Sequence, residues 1–398
     1  MSLANGREYL AIPGPSVVPD AVLRAMHRAA PNIYEGDIVE LAAGIARDLK
    51  AVARTEHDVA IYIANGHGAW EAALTNTHAP GDTTLVLATG RFALGWSQHA
   101  ARLGIALDIL DFGKSAPVDL DRVASRLAAD TGHRIKSVMV VQVDTATSAK
   151  NDIAGLRRVL DETGHPALLM VDCIASLACD PFEMDAWGVD LVVAACQKGL
   201  MTPPGLSFVY FNEKAEAARD AQRIVSAYWD WRPRARPEEF YQYFGGTAPT
   251  HHLFGLRAAL DMIAAEGLAA VHARHATLAR AVWAAFDAWA AEGPLRLNIA
   301  DPAHRSHAVT ALRIGAPHGS ALRAWVAGNA GVTLGIGLGM AERTDPAWHG
   351  FFRLAHMGHV NAHMVLGALG AIEAGLAALD IPRGRGALEA AAGVCAAG

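Results

Sequence analysis

The sequence is poor in the features that mark several large protein classes. Four cysteines occur in 398 residues. Cys173, Cys179, Cys196 and Cys395 form no CxxC pair, and the first three stand among apolar residues, as small buried hydrophobes do. That usage fits a reducing compartment, and a cytoplasmic location is expected. No block of one charge appears. With 34 Lys and Arg against 40 Asp and Glu, the net charge is −6, which gives no electrostatic case for nucleic acid or an anionic membrane as partner. The longest apolar stretch, VLGALGAIEAGLAALDI, is interrupted by Glu373 and reads as a packing helix, not a membrane span. The start MSLANGREYL lacks the basic-then-apolar pattern of a secretory leader. Internal repeats are absent, and no metal site is expected.

Short apolar strands and helical segments fill the chain instead. Hydrophobic residues make up 52% and charged residues 19%, a balance that suits a compact globular protein with one large core and a smaller one. Strands are predicted at VAIYIA (59–64), TTLVLA (83–88), ALDILD (106–111), SVMVVQV (137–143), PALLMVD (166–172), LVVAACQ (191–197) and LSFVYF (206–211). Nearly continuous apolar strands joined by helical crossovers predict an α/β fold built on a seven-stranded, mostly parallel sheet covered on both faces. Beyond residue 213 the pattern changes to a helix over EKAEAARDAQRIVSAY, an exposed excursion at WDWRPRARPEEF and a long Ala-rich helical region from about His252 to Ala291. Shorter strands and a terminal helix follow. The expected division is an N-terminal arm over 1–18, reaching between subunits, a large domain over 19–280 and a smaller α+β domain over 281–398.

Two strand ends carry the chemistry. Asp172 closes PALLMVD, and Lys198 follows LVVAACQ on a tight turn marked by Gly199 and Pro203-Pro204-Gly205. Ligands of such sheets collect at the carboxyl ends of the strands. An aspartate to hold a protonated pyridine nitrogen and a lysine to form an imine are what pyridoxal 5'-phosphate asks of a protein. The run Asn65-Gly66-His67-Gly68, between a strand and a helix, supplies N–H donors for a phosphate: Gly66 allows close approach, Asn65 can cap, and the His67 main-chain N–H can donate. Gln197 can add an amide. Thr145 can bond the phenolic oxygen, or be a simple turn threonine. Phe92 can stack on the ring, or belong to the core. Arg353, ending HGFFR, can bind a substrate carboxylate, or be a surface arginine.

These segments, with IPGPSVVPDAVLRAM, the TATS run, FGGTAP and FRLAHMGHVN, make the chain similar to the class V (fold type I) pyridoxal phosphate aminotransferases, and within them to the alanine–glyoxylate and serine–glyoxylate enzymes. The resemblance implies Lys198 as the imine-forming lysine and Asp172 as the partner of the pyridine nitrogen. It implies Gly66, His67, Phe92, Thr145 and Gln197 as cofactor contacts, Thr247 as a phosphate ligand from the neighbouring subunit of a homodimer, and Arg353 as the carboxylate arginine; Asn65, expected at the cofactor from its place in the same turn, stands where relatives often show a small hydroxyl or threonine. Tyr34 and Glu35 lie where PNIYEGD departs from the serine–glyoxylate branch and are expected to border the side-chain pocket. Arg232, Arg234 and Arg236 are expected to face solvent, leaving Arg353 alone to orient a small oxo acid.

The expected reaction is ping-pong amino transfer from a small amino acid, alanine or serine, to glyoxylate or pyruvate. A different amine (pyridoxamine, aspartate or an aminophosphonate) and a pyridoxal phosphate lyase are the alternatives. A desulfurase would need a mobile cysteine, and Cys395, close to the C-terminus, is poorly suited to that.

Overall fold

The computed structural model describes residues 2–398. Its strands are β1 (Tyr9–Ala11), β2 (Asp58–Tyr62), β3 (Thr83–Ala88), β4 (Ala106–Asp111), β5 (Ile135–Val141), β6 (Leu168–Asp172), β7 (Leu191–Ala195), β8 (Ser207–Phe211), β9 (Arg296–Leu297), β10 (Val309–Arg313), β11 (Val332–Ile336) and β12 (Phe351–Ala355). Seven of them form one sheet in the order β2-β8-β7-β6-β5-β3-β4. Only β8 runs against its neighbours there.

The alternation of side chains along each strand divides this sheet between two cores. Ile61, Leu87, Val140, Val171 and Val192 point to one face, where the helices Asp37–Ala53, Leu120–Ala129, Ile153–Glu162 and Thr250–Glu266 pack. Their neighbours Ala60, Tyr62, Met139, Met170 and Val193 point to the other, against Trp70 of the helix Gly66–Thr77 and Trp96 of the helix Arg91–Arg102. With both faces covered, every residue of β6, β7 and β8 is buried, which explains their unbroken apolar sequence.

The other sheet, ordered β1-β11-β12-β10-β9, is antiparallel except where β1 pairs in parallel with β11. Its core is shared with the helices Leu268–Ala290, His318–Ala330, Ala362–Ala378 and Ala387–Ala397. None of the described helices is long and apolar enough to cross a membrane.

Four sequence expectations need correction. Tyr9–Ala11 does not leave the subunit; it completes this chain's own smaller sheet. The long Ala-rich region is two helices, broken at Gly267, whose φ of +84° lies where glycine is favoured. The helix after β8 stops at Asp220, because the chain folds back to pair Arg219 with Asp230 and Arg232 with Glu216. The excursion is not wholly exposed: Trp231 is buried and stacks on Phe211 with centroids 4.3 Å apart, and Arg234 is 1% exposed.

Candidate active site

The carboxyl ends of β2, β3, β5, β6 and β7 meet at one edge of the large sheet, and a cavity of about 240 Å³ opens there. Asn65, Gly66, His67, Phe92, Thr145, Asp172, Gln197 and Lys198 all line it. The sequence placed these residues together, and the fold brings them together.

Register accounts for the central pair. β6 lies against β7 with Asp172 opposite Val193, so the turn after β7 carries Lys198 back toward the aspartate. That turn is tight: a Cβ on Gly199 would overlap the Leu177 carbonyl. Lys198 is buried, and its Nζ donates to the Pro13 carbonyl. Burial, then the charge of Arg353, brings its amine down to about 8 against the pull of Asp172 and Cys179. Asp172 is 2% exposed; its Oδ1 accepts from the Ile174 N–H at 2.7 Å and its Oδ2 from the Trp70 indole N–H at 2.7 Å. Burial pushes this carboxyl up to about 7, although both donors and Lys198 oppose the shift.

The helix Gly66–Thr77 begins on the same edge with Asn65 as its cap. Here the expectation for His67 changes: its main-chain N–H, expected to be free for a phosphate, donates to Asn65 Oδ1 at 3.0 Å, while Gly66 and His67 both line the cavity. A Cβ on Gly66 would overlap Ile174, so this approach depends on glycine. Gln197 contributes a buried Oε1 with no partner in the protein. The Phe92 ring stands 6.4 Å, centroid to centroid, from Trp70.

Arg353 does not line the cavity. It lies 6% exposed behind the wall, donating from Nε to the Ile336 carbonyl at 2.6 Å and from Nη1 to the Thr145 carbonyl at 2.8 Å. Among the described residues it makes no ion pair, and burial lowers its guanidinium to about 10. Tyr34 is 86% exposed, Thr247 is also exposed, and neither reaches this chain's cavity. Arg234, expected in solvent, is buried under the excursion.

The sequence reading missed three contributors. The segment Pro13–Ser16 covers Lys198: Gly14 and Pro15 line the cavity, and Ser16 Oγ donates to the Lys198 carbonyl at 2.7 Å. Asp144, fully buried, accepts the Phe92 N–H at 2.8 Å and the Ala146 N–H at 2.9 Å, and Gly90 has no room for a Cβ beside it. Trp70 reaches Asp172. The only sequence signals were the adjacency of Asp144 to Thr145 and of Trp70 to the cradle.

A large, mostly parallel sheet with a buried lysine and aspartate at its carboxyl edge defines the fold type I enzymes. The comparisons narrow this further: residues 9–349 match the aminotransferase class-V family, and the chain belongs to it. It is a transaminase of a family that depends on pyridoxal phosphate. It is 35% identical over 373 residues to the serine–glyoxylate aminotransferase of Arabidopsis thaliana, covering 92% of this chain and 90% of that one. It is 34% identical over 397 residues to the L-aspartate–glyoxylate aminotransferase of Paracoccus denitrificans, covering 97% and 94%. The crystal structure of pyridoxamine–pyruvate aminotransferase from Mesorhizobium loti superposes with a TM-score of 0.87 over 100% of both chains at 25% identity.

Proposed function

We propose that this transaminase moves an amino group from a small amino acid, alanine or serine, to glyoxylate or pyruvate, with Lys198 as the imine-forming lysine. The observation that carries the reading is the buried lysine–aspartate pair at the carboxyl edge of the sheet, where Lys198 and Asp172 line one small cavity. The residues present fit pyridoxal phosphate. Gln197 lines the cavity with a buried amide whose oxygen has no protein partner, and Gly14 and Gly66 bring the backbone close to Lys198 and Ile174, where a Cβ would collide.

Asn65, Gly66, His67 and Gln197 would hold the phosphate, Thr145 the phenolic oxygen, Phe92 one ring face and Asp172 the ring nitrogen. When bound, the cofactor supplies a carbonyl that takes up the amine and a ring that accepts an electron pair. The chain's residues do the rest. Asp172 holds the proton on the ring nitrogen. The neutral Nζ of Lys198 would take the proton from the donor's Cα and deliver it to the carbon of the cofactor's carbonyl group, a role that suits an amine brought down to about 8. Pro13–Ser16 excludes water from that amine. Arg353 would orient the substrate carboxylate by exchanging a backbone carbonyl for it.

A homodimer with Thr247 and Tyr34 completing the partner's cavity, the division at residues 18 and 280, and a cytoplasmic location belong to the same proposal. A small acceptor is supported by the lining itself, whose basic side chains are Lys198 and His67. An unpaired second carboxylate buried there would be costly. With alanine or serine as donor, glyoxylate should give glycine, and 2-oxoglutarate should be slower by about tenfold or more in kcat/KM. Amino-acid analysis of both reactions checks this. Equal efficiencies would overturn the small-acceptor reading, and cofactor binding without any glycine would favour a lyase.

A further inference from the structure

Asp172 has two carboxylate oxygens and two protein donors, and the donors differ in kind. The Ile174 N–H belongs to the turn that follows β6 and moves with the aspartate. Trp70 belongs to a different element, the helix Gly66–Thr77, and reaches Oδ2 from across the fold. Both side chains are buried, Trp70 at 1% and Asp172 at 2% exposure.

The indole is itself held on several sides. Trp96 stacks on it at 6.3 Å and 14°, while His67 at 4.5 Å, His99 at 5.6 Å and Phe92 at 6.4 Å meet it edge-on. Such a ring has little rotational freedom, so its N–H has one direction. We propose that Trp70 is a positioning residue of the active site: its indole N–H fixes Oδ2 of Asp172, keeps that carboxylate ionised, and leaves it facing the cavity to hold a ring-nitrogen proton. The inference rests on the reading of the cavity as a pyridoxal phosphate site.

Charge and chemistry give the same direction. An indole donates and never accepts, and its bond to an ionised oxygen is the stronger one. It therefore stabilises the carboxylate over the protonated acid. The charged groups facing Asp172 are Asp144, which favours the proton, and Lys198, which opposes it; the neighbouring Cys173 thiol, pushed up by burial and then by Asp172, stays neutral. His67 and His99 face Trp70, and burial, first among the causes, lowers both imidazoles and so favours their neutral forms. With burial and Asp144 driving Asp172 toward the acid, the Trp70 N–H is a principal restraint on that drift. The helix Gly66–Thr77 thereby serves both ends of the cavity. Its start meets the phosphate end, and Trp70 in its second turn sets the charge at the ring-nitrogen end.

The test removes the N–H while keeping the ring, by Trp70→Phe and by benzothienylalanine at position 70, in which sulfur replaces the N–H in an isosteric ring. In the cofactor-free protein, infrared difference titration follows the carboxyl of Asp172, identified by its loss in Asp172→Asn. Both changes should raise the titration midpoint by about one to two pH units. Affinity for pyridoxal phosphate, read by equilibrium dialysis, should fall by about tenfold, and Trp70→Phe should cause no further fall in an Asp172→Asn background. If Trp70→Phe does not fold, the benzothienyl protein decides. An unchanged midpoint at unchanged thermal stability overturns the proposal. Should the unaltered protein bind no cofactor, the functional reading fails, while the infrared titration still decides the role of Trp70.

Discussion

Lys198 and Asp172 are each held away from their ordinary ionisation by burial, and the folded protein bears the consequence. Lys198 moves from 10.5 to about 8, so the folded chain binds fewer protons than the unfolded one between those values and gains stability as pH rises through that window. Asp172 moves from 3.8 to about 7, so the folded chain binds more protons between those values and loses stability as pH rises through them. In the cofactor-free protein, Asp172→Asn should therefore stabilise at pH 8 by on the order of 1–3 kcal/mol and have little effect at pH 4. Thermal unfolding at the two pH values measures this, and destabilisation at pH 8 would contradict it. Their meeting at one cavity was legible in the sequence because Asp172 ends one apolar strand and Lys198 follows the next on a tight turn. Asp144 and Trp70 were not, because each acts on a partner distant in sequence: Asp144 meets the Phe92 N–H 52 positions away, and Trp70 meets Asp172 102 positions away. Only the fold brings them together.

Among the elements, β3 and β4 occupy the residues that TTLVLA and ALDILD mark out, since each apolar run is bounded by turn residues. β5 runs over 135–141 and not 137–143, because its partner β6 ends at Asp172, opposite Val141, and the Gln142 carbonyl turns to accept from the Asn151 N–H. The excursion after residue 226 was misread for a tertiary reason. Arg234 covers β2, the edge strand of the large sheet, by donating to the Ile61 carbonyl at 2.9 Å and the Tyr228 carbonyl at 2.7 Å. The faces of Tyr62 and Tyr228 lie 4.5 Å and 4.6 Å from its guanidinium. An arginine-rich string gives no sign of which member will be buried. Arg234→Met leaves those carbonyls without their donor and should cost about 2–4 kcal/mol, with cofactor affinity lowered because Ile61 leads into the phosphate cradle. Denaturant unfolding and equilibrium dialysis check the two effects; a variant as stable as the parent would show that solvent can replace the guanidinium.

At the scale of the whole molecule, two sheets with separate cores set the aspartate, the lysine and the Asn65–Gly68 turn on one edge, while Arg353 arrives from the smaller sheet. The alternation of strands and helices made the large sheet legible. The smaller one was less so, because β1 is contributed by the far N-terminus. Thr247 and Tyr34 are exposed and away from this chain's cavity, as residues serving a partner would be. Mixing Lys198→Ala with Thr247→Val subunits should restore activity through hybrid dimers that contain one intact cavity. Hybrids confirmed by mass yet inactive would confine each site to one subunit. The central claim is that the cofactor is carried by Lys198, and borohydride reduction followed by peptide mass mapping tests it most directly. A single pyridoxyl-phosphate adduct on the peptide containing Lys198, absent after Lys198→Ala, is the predicted result. An adduct on any other lysine, or one that persists in Lys198→Ala, would contradict it.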